Sequence, residues 1–559
     1  MRAAHSPGPR WPFVVAAAVG AAWFTAIAGW RVVSPLSIDW VMQADWRIHF
    51  TGWHIFRGEP WSWPPGRVNG YYAPDGTAIG FTDSLPLVAL ALKPLSSLLP
   101  MPFQYLGLWL ATCFALQGYW GARLTALWTP HPPTRVLGGV LFVLLPTLLN
   151  RAPHPALSSH WLLLWCLYLH LRPEARLPRA SMLLVGALVG LIHPYLAAMV
   201  LALLGALALR ATLDDRARSF AAAARQPAVT LAGVVALVVA GWWASGLFTA
   251  TEASMRRSGL TLFSMNLLGP VMPSGWSAWM PAVPMGADGQ PFEGLQYLGA
   301  GALALLVLGS ALAVRRPAPA PAPRPRLWPL ALICTVLAVY SLSPRVTLAD
   351  RVILDYSSPA LEPLAVFGVT GRFFWPAAYL LVALGLRAVS TRLPAGAAAT
   401  VLAALVVIQV ADTRPGYMDR YTLARTTLFH TFPGKPTSPV WTAALPHYRH
   451  FVLVLPAHCA PTPLAYETVG YLAGLHGLTM NAGEMARPSE VRRQRYCEAL
   501  EATLAEGRVA DDTVYLVDPA REAALRAAAP SLVCGTVDSM RACVTASSYQ
   551  AWRDAAPFN

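Results

Sequence analysis

The residues able to do chemistry are grouped, and the densest group lies between residues 34 and 83, SPLSIDWVMQADWRIHFTGWHIFRGEPWSWPPGRVNGYYAPDGTAIGFTD. Asp45 and His49 stand four apart, so on a helix they share one face. A carboxylate set among aromatic rings and partly removed from water binds its proton more tightly and can serve as a general base, with His49 orienting it. Asp83 closes the stretch and is a rival for that role. The plain alternative for Asp45 is a helix cap or an ion pair with Arg47 or Arg57. His54 and Glu59 read as ordinary interfacial polar residues.

A second set stands at the ends of apolar runs. NRAPHPALSSHW (150–161) supplies Arg151, His154 and His160, and His193 precedes Pro194 and Tyr195. Glu293 lies beside Phe292 in FEGLQYLG, and Arg372 lies in VTGRFFWP. Ionisable groups at membrane depth are costly, so each is a candidate for function. A guanidinium such as Arg372 can grip a phosphate with two parallel hydrogen bonds. The plain alternatives are helix-terminal histidines bonded to carbonyls and an arginine that snorkels to the interface. No HExxH or similar spacing is present, so no metal site is expected.

These residues must be held by helices that are largely apolar. Of 559 residues, 55% are hydrophobic and 13% charged, against about 25% charged in soluble domains; the mean hydropathy is +0.45. The net charge of +14 does not mark a nucleic-acid binder, because the arginines fall in short clusters between apolar runs. Eleven spans are expected, at 12–33, 105–127, 135–150, 157–171, 181–193, 195–210, 228–249, 294–314, 327–343, 373–389 and 396–411. The first is read as a retained helix, not a cleaved signal, because its apolar length suits a crossing.

Arginines 2, 10, 123, 135, 172, 176, 179, 210, 216, 218, 225, 315, 316, 324, 326, 387 and 392 then fall on one side, which the positive-inside rule makes cytoplasmic, with the N-terminus. The loop 34–104 and everything after the last span lie outside. Residues 84–100, apolar but carrying Lys93 and prolines, read as a re-entrant or interfacial helix. RRPAPAPAPRPR (315–326) reads as a stiff cytoplasmic linker. The fold class expected is an all-α polytopic membrane domain (1–420) followed by a small α/β domain (440–559). The latter's strands are HFVLVLP (450–456) and DTVYLVD (512–518). Cys459, Cys497, Cys534 and Cys543 all fall in this exported domain. They imply up to two disulfides, with Cys459–Cys497 and Cys534–Cys543 the preferred pairing.

In order along the chain, ADWRIHFTGWHIFR, GTAIGFTDSLPL, FQYLGLWL, HPALSSHW, SMNLLGP, FEGLQYLG and GRFFWP resemble a bacterial domain of unknown function placed in the GT-C superfamily of membrane glycosyltransferases. The likeness runs from about residue 15 to 420. It implies a polyprenyl-phosphate sugar as donor and a glycan, lipid or protein acceptor at the periplasmic face of the inner membrane. It implies an acidic base in the first outer loop, which Asp45 matches best. Arg372 and Arg151 would hold the leaving phosphate, and His154, His160, His193 and Glu293 would line the site. The chain lacks the second acid that many relatives carry beside the base, so a divalent metal is not supported. The rival expectations are a transporter or flippase for lipid-linked glycans and a non-catalytic assembly factor. A transporter would place polar groups at the bilayer midplane and show internal repeats, and none is found. An acyltransferase is discounted for want of a His-centred intramembrane motif.

Overall fold

The computed structural model describes residues 9–174, 177–215, 217–249, 260–315 and 326–553. The Pro/Ala linker, apart from its end residues Arg315 and Arg326, lies outside them, as do Arg2, Arg176 and Arg216. The chain is mostly helical with a small C-terminal sheet, and it divides into two compact units.

The first unit comprises Met1–Ser34, Leu106–Gly241 and Arg256–Thr426. Each of the eleven apolar runs carries helix. Among the described residues, five helices have the length and hydropathy to cross a membrane. They are α1 (Trp11–Ala28), α2 (Pro194–Asp214), α3 (Phe220–Ala244), α4 (Thr370–Arg392, opening with a 3-10 turn) and α5 (Ala395–Leu423). The others are shorter or more polar. The run 135–150 is two helices, Pro132–Val143 and Pro146–Asn150, because Pro146 offers no N–H to continue the first. His193–Pro194 likewise separates Arg179–Gly190 from α2.

Without a hydrophobic drive between helices in lipid, small residues let backbones touch. Glycine does this here. A Cβ on Gly20 would strike the Phe114 carbonyl, one on Gly118 the Ala16 carbonyl and one on Gly107 the Val32 carbonyl. These three contacts press α1 and its short continuation Trp30–Val33 against the helix Leu106–Thr125. Gly190 and Gly241 make the same kind of contact between Arg179–Gly190 and α3.

The second unit comprises Pro35–Tyr105, Trp242–Met255 and Thr427–Asn559. Its sheet has five strands: β1 (His450–Leu453), β2 (Thr479–Met480), β3 (Thr513–Leu516), β4 (Leu532–Val537) and β5 (Met540–Thr545). The spatial order is β2-β1-β3-β5-β4, with β1 parallel to β2 and β3, and β5 antiparallel to β3 and β4. Helices Tyr466–His476 and Glu490–Ala505 connect the parallel strands. Two disulfides, Cys459–Cys497 and Cys534–Cys543, cross-link this domain.

The loop 34–104 is built into the same unit. Tyr71 forms a parallel bridge with Met480, and Gly70 O and Ala73 N bond the Met480 backbone at 2.7 and 2.8 Å. The loop therefore adds to the open edge of the sheet at β2. Residues 86–98 form a short helix and a 3-10 turn. Its Lys93 is buried, with the ammonium 3.7 Å from the Phe56 ring centroid and 4.8 Å from that of Trp61. Trp61 and Leu98 are exposed.

Candidate functional site

In the first unit, Arg151 ends the helix Pro146–Asn150, Glu293 lies ahead of the helix Ala300–Arg315, and Arg372 sits in the opening turn of α4. Sequence separation hides that the three side chains meet. Both Arg372 Nε (3.1 Å) and Arg372 Nη2 (2.8 Å) donate to Glu293 Oε2, and Arg151 Nη1 donates to the same oxygen. His154 Nε2 faces Glu293 Oε1 at 3.6 Å. Arg151 Nη2 also donates to the Phe292 carbonyl at 2.9 Å. All three charged residues are less than a tenth exposed.

Burial alone would raise the Glu293 carboxyl, but the Arg372 and Arg151 guanidiniums hold it well below the usual carboxylate range. Burial pushes Arg151 down to about 10, and it remains charged at neutral pH. One carboxylate thus faces two guanidiniums, which leaves one positive charge in excess. A third, Arg420, donates to Asn150 Oδ1 at 3.2 Å and lies over the Trp276 ring, but its charge is met by Asp419 at 2.7 Å. An anion is the ligand such a group can take.

The other expected residues of this unit surround the cluster or serve the scaffold. Arg372 lies over the Tyr195 ring at 4.8 Å, and the Tyr195 hydroxyl accepts from Val369 N. His193 Nδ1 accepts from Tyr195 N at 3.2 Å, which caps the start of α2. His160 is fully buried and shares a 2.6 Å hydrogen bond with the Tyr379 hydroxyl, its ring 4.1 Å from that of Trp375. Its Nε2 is buried with no hydrogen-bond partner among the described residues.

Sequence reasoning missed Asp412 and Gln409 on α5, both fully buried. Asp412 Oδ2 accepts from Tyr297 Oη (2.6 Å) and Ala300 N (2.8 Å), and Gln409 Oε1 accepts from Ala302 N (3.0 Å). They satisfy the first N–H groups of the helix that follows Glu293, and so fix where that helix begins. A single Asp in an apolar run was the available signal.

In the second unit, Asp45 is exposed at the start of the helix Trp46–Phe56. His49, buried, bonds the Thr82 carbonyl through Nδ1 at 3.2 Å, and Ser84 Oγ donates to the His49 carbonyl at 2.8 Å. The segment carrying Asp83 is therefore strapped to the helix carrying His49. Asp83 itself is half-buried and has φ +49, a left-handed backbone that aspartate adopts more readily than most non-glycine residues. Arg47 pairs with Glu467 (2.5 Å) and Glu484 (2.9 Å). Arg57 donates to the carbonyls of Ser96, Leu99 and Pro100. His54 is no interfacial residue: it is fully buried and stacked between Phe50 and Tyr471. Glu59 accepts from Asn69 N and Gly70 N and holds a turn.

His458, Cys459 and Cys497 place ligand-type atoms together, but both sulfurs are tied in a disulfide and offer no thiolate to a metal.

Residues 17–414 match the family model described as a domain of unknown function (DUF6311), and residues 440–545 match that of the DUF6311 C-terminal domain. No curated protein matches the chain.

Proposed function

The chain belongs to the DUF6311 family, and we propose that it is an inverting membrane glycosyltransferase taking a sugar from a polyprenyl-phosphate carrier. The observation that carries this reading is the buried Arg151–Glu293–Arg372 cluster with its excess positive charge. The departing carrier phosphate needs that charge as the glycosidic bond to it breaks. The acceptor hydroxyl oxygen forms the new bond to the anomeric carbon from the opposite side, and its proton passes to a first-loop carboxylate. The resemblance described above assigns that role to Asp45. The attachment of its segment to the His49 helix supports Asp83 as the rival. The acceptor is a glycan, lipid or protein of the cell envelope, and transfer takes place at the periplasmic face of the inner membrane.

Mass spectrometry of envelope glycans and glycolipids, with and without the gene, tests the reading. A hexose or deoxyhexose missing from the deletion strain, and restored by the wild-type chain but not by Asp45→Asn or Asp83→Asn, is expected. Unchanged glycans, or full restoration by both acid variants, would leave an assembly factor or a flippase as the better account.

A further inference from the structure

We propose that the C-terminal domain is the positioning scaffold for the first-loop acids, acting through Glu467, Glu484 and the glycine pair Gly470 and Gly474. Its effect on transfer rests on the glycosyltransferase reading; the anchoring itself does not.

The helix Trp46–Phe56 is gripped on two sides. Arg47, Thr51 and His54 recur at the spacing of one helical face. That face meets the C-terminal domain at every position. Arg47 is clamped by Glu467 and Glu484, which come from two different stretches of the domain. A Cβ on Gly470 would run into the Thr51 side chain, and one on Gly474 into the His54 ring. His54 Nε2 also bonds the Tyr471 carbonyl at 3.1 Å. Gly470 and Gly474 stand one turn apart on the helix Tyr466–His476, so the two helices pack backbone to side chain along a seam only glycine permits.

The residues two positions behind each of these, Asp45, His49 and Gly52, lie about 200° around the helix, on the opposite face. His49 and Gly52 meet the segment 82–84. Gly52 has no room for a Cβ against Thr82 and Ser84, and His49 bonds the Thr82 carbonyl. That segment is in turn tied to the C-terminal domain by Ala486 N donating to Phe81 O at 2.7 Å. Both acid-bearing segments are thus set by one domain, and the helix between them can neither roll nor slide without breaking the Arg47 clamp or the glycine seam. Displacing a reacting group by about 1 Å costs on the order of 10²-fold in rate. Glu467 and Glu484 are therefore positioning residues.

The test uses full-length protein in lipid nanodiscs and two variants, Gly474→Leu and the milder Glu467→Gln/Glu484→Gln pair. Hydrogen exchange of residues 46–56 and 81–85 is expected to rise about tenfold in both, with strands β1 and β3 unchanged in the milder one. Transfer from a synthetic polyprenyl-phosphate sugar should lose on the order of 10²-fold in kcat, with the donor KM unchanged. Restoring the carboxylates one methylene shorter, as Glu467→Asp/Glu484→Asp, should recover most of the rate. Unaltered exchange over 46–56 in both variants overturns the anchoring. Faster exchange with an unaltered kcat overturns the positioning role. Exchange rising equally in β1 and β3 of the milder variant shows general loosening and also overturns it. A wild-type chain that transfers no sugar sinks the glycosyltransferase reading alone, because the exchange data still decide the anchoring.

Discussion

The two groups of candidate residues, one in each unit, handle charge in opposite ways. In the first, Arg151, Glu293 and Arg372 are buried together, and the excess is cationic. In the second, Asp45 is left exposed and Asp83 half-buried, while the arginine between them, Arg47, is neutralised by two glutamates. A buried pair is weak evidence for stability, since well-packed apolar residues of the same volume do as well or better. A charge cluster retained in an apolar unit therefore points to a ligand more than to structure. Exposed acids on a rigid support point to a proton that must come and go.

The comparison breaks most decisively at Glu293. Glu293→Ala leaves two guanidiniums buried without their shared counter-ion, and a loss of about 3–5 kcal/mol in unfolding free energy is expected. The triple change Arg151→Met, Arg372→Met, Glu293→Leu should recover much of that in a thermal melt while lipid-phosphate binding stays absent. If the triple variant binds polyprenyl phosphate as the wild type does, the cluster is only structural.

The acids should behave in the reverse manner. Asp45→Asn leaves the melting temperature within a degree or two, and loss of the true base lowers kcat on the order of 10²–10⁴-fold. Comparing it with Asp83→Asn in the transfer assay shows which carboxylate carries that loss.

Smaller effects separate the units further. Removing Cys459–Cys497, which closes 38 residues, should cost about 4 kcal/mol, and removing Cys534–Cys543, which closes 9, about 2.5 kcal/mol. Both losses should be confined to the unfolding of the second unit, read by hydrogen exchange with and without reductant.

The pH limbs differ last of all. The Glu293 carboxyl is depressed on folding, so its stabilisation is present above the ordinary glutamate value of 4.5 and is lost as pH falls below it. Burial lowers Lys93 to about 8, against the opposing pull of Glu59. The folded second unit then binds that proton less tightly than the unfolded chain, and its stability rises as pH climbs from about 8 towards 10.5. Lys93→Met should flatten the alkaline limb alone, as followed by denaturant melts at several pH values.

Much of the fold could be read from local pattern. Apolar runs became helices, and HFVLVLP and DTVYLVD became β1 and β3, because burial and propensity act over a few residues. What pattern could not show was pairing at a distance. Glu293 reads as a lone acid ahead of an apolar run until Arg151 and Arg372 arrive from 142 and 79 residues away. Gln409 lies inside and Asp412 just past the expected span 396–411, and nothing nearby reveals the helix start they cap. The loop 34–104 and the C-terminal domain read as separate pieces, because the Tyr71–Met480 bridge and the Arg47 clamp each span about 400 positions that periodicity does not sense.

That last arrangement has a consequence for biogenesis. The edge that receives Tyr71 and the carboxylates that receive Arg47 belong to the final fifth of the chain. During synthesis the aromatic-rich loop emerges long before its docking platform exists, and contacts of such long range form slowly. A ribosome product ending before residue 440 would carry Asp45 and Asp83 yet lack the glutamate clamp and the glycine seam that fix the helix beside them. Synthesis of the segment from Glu467 to Glu484 would then time the docking of the loop.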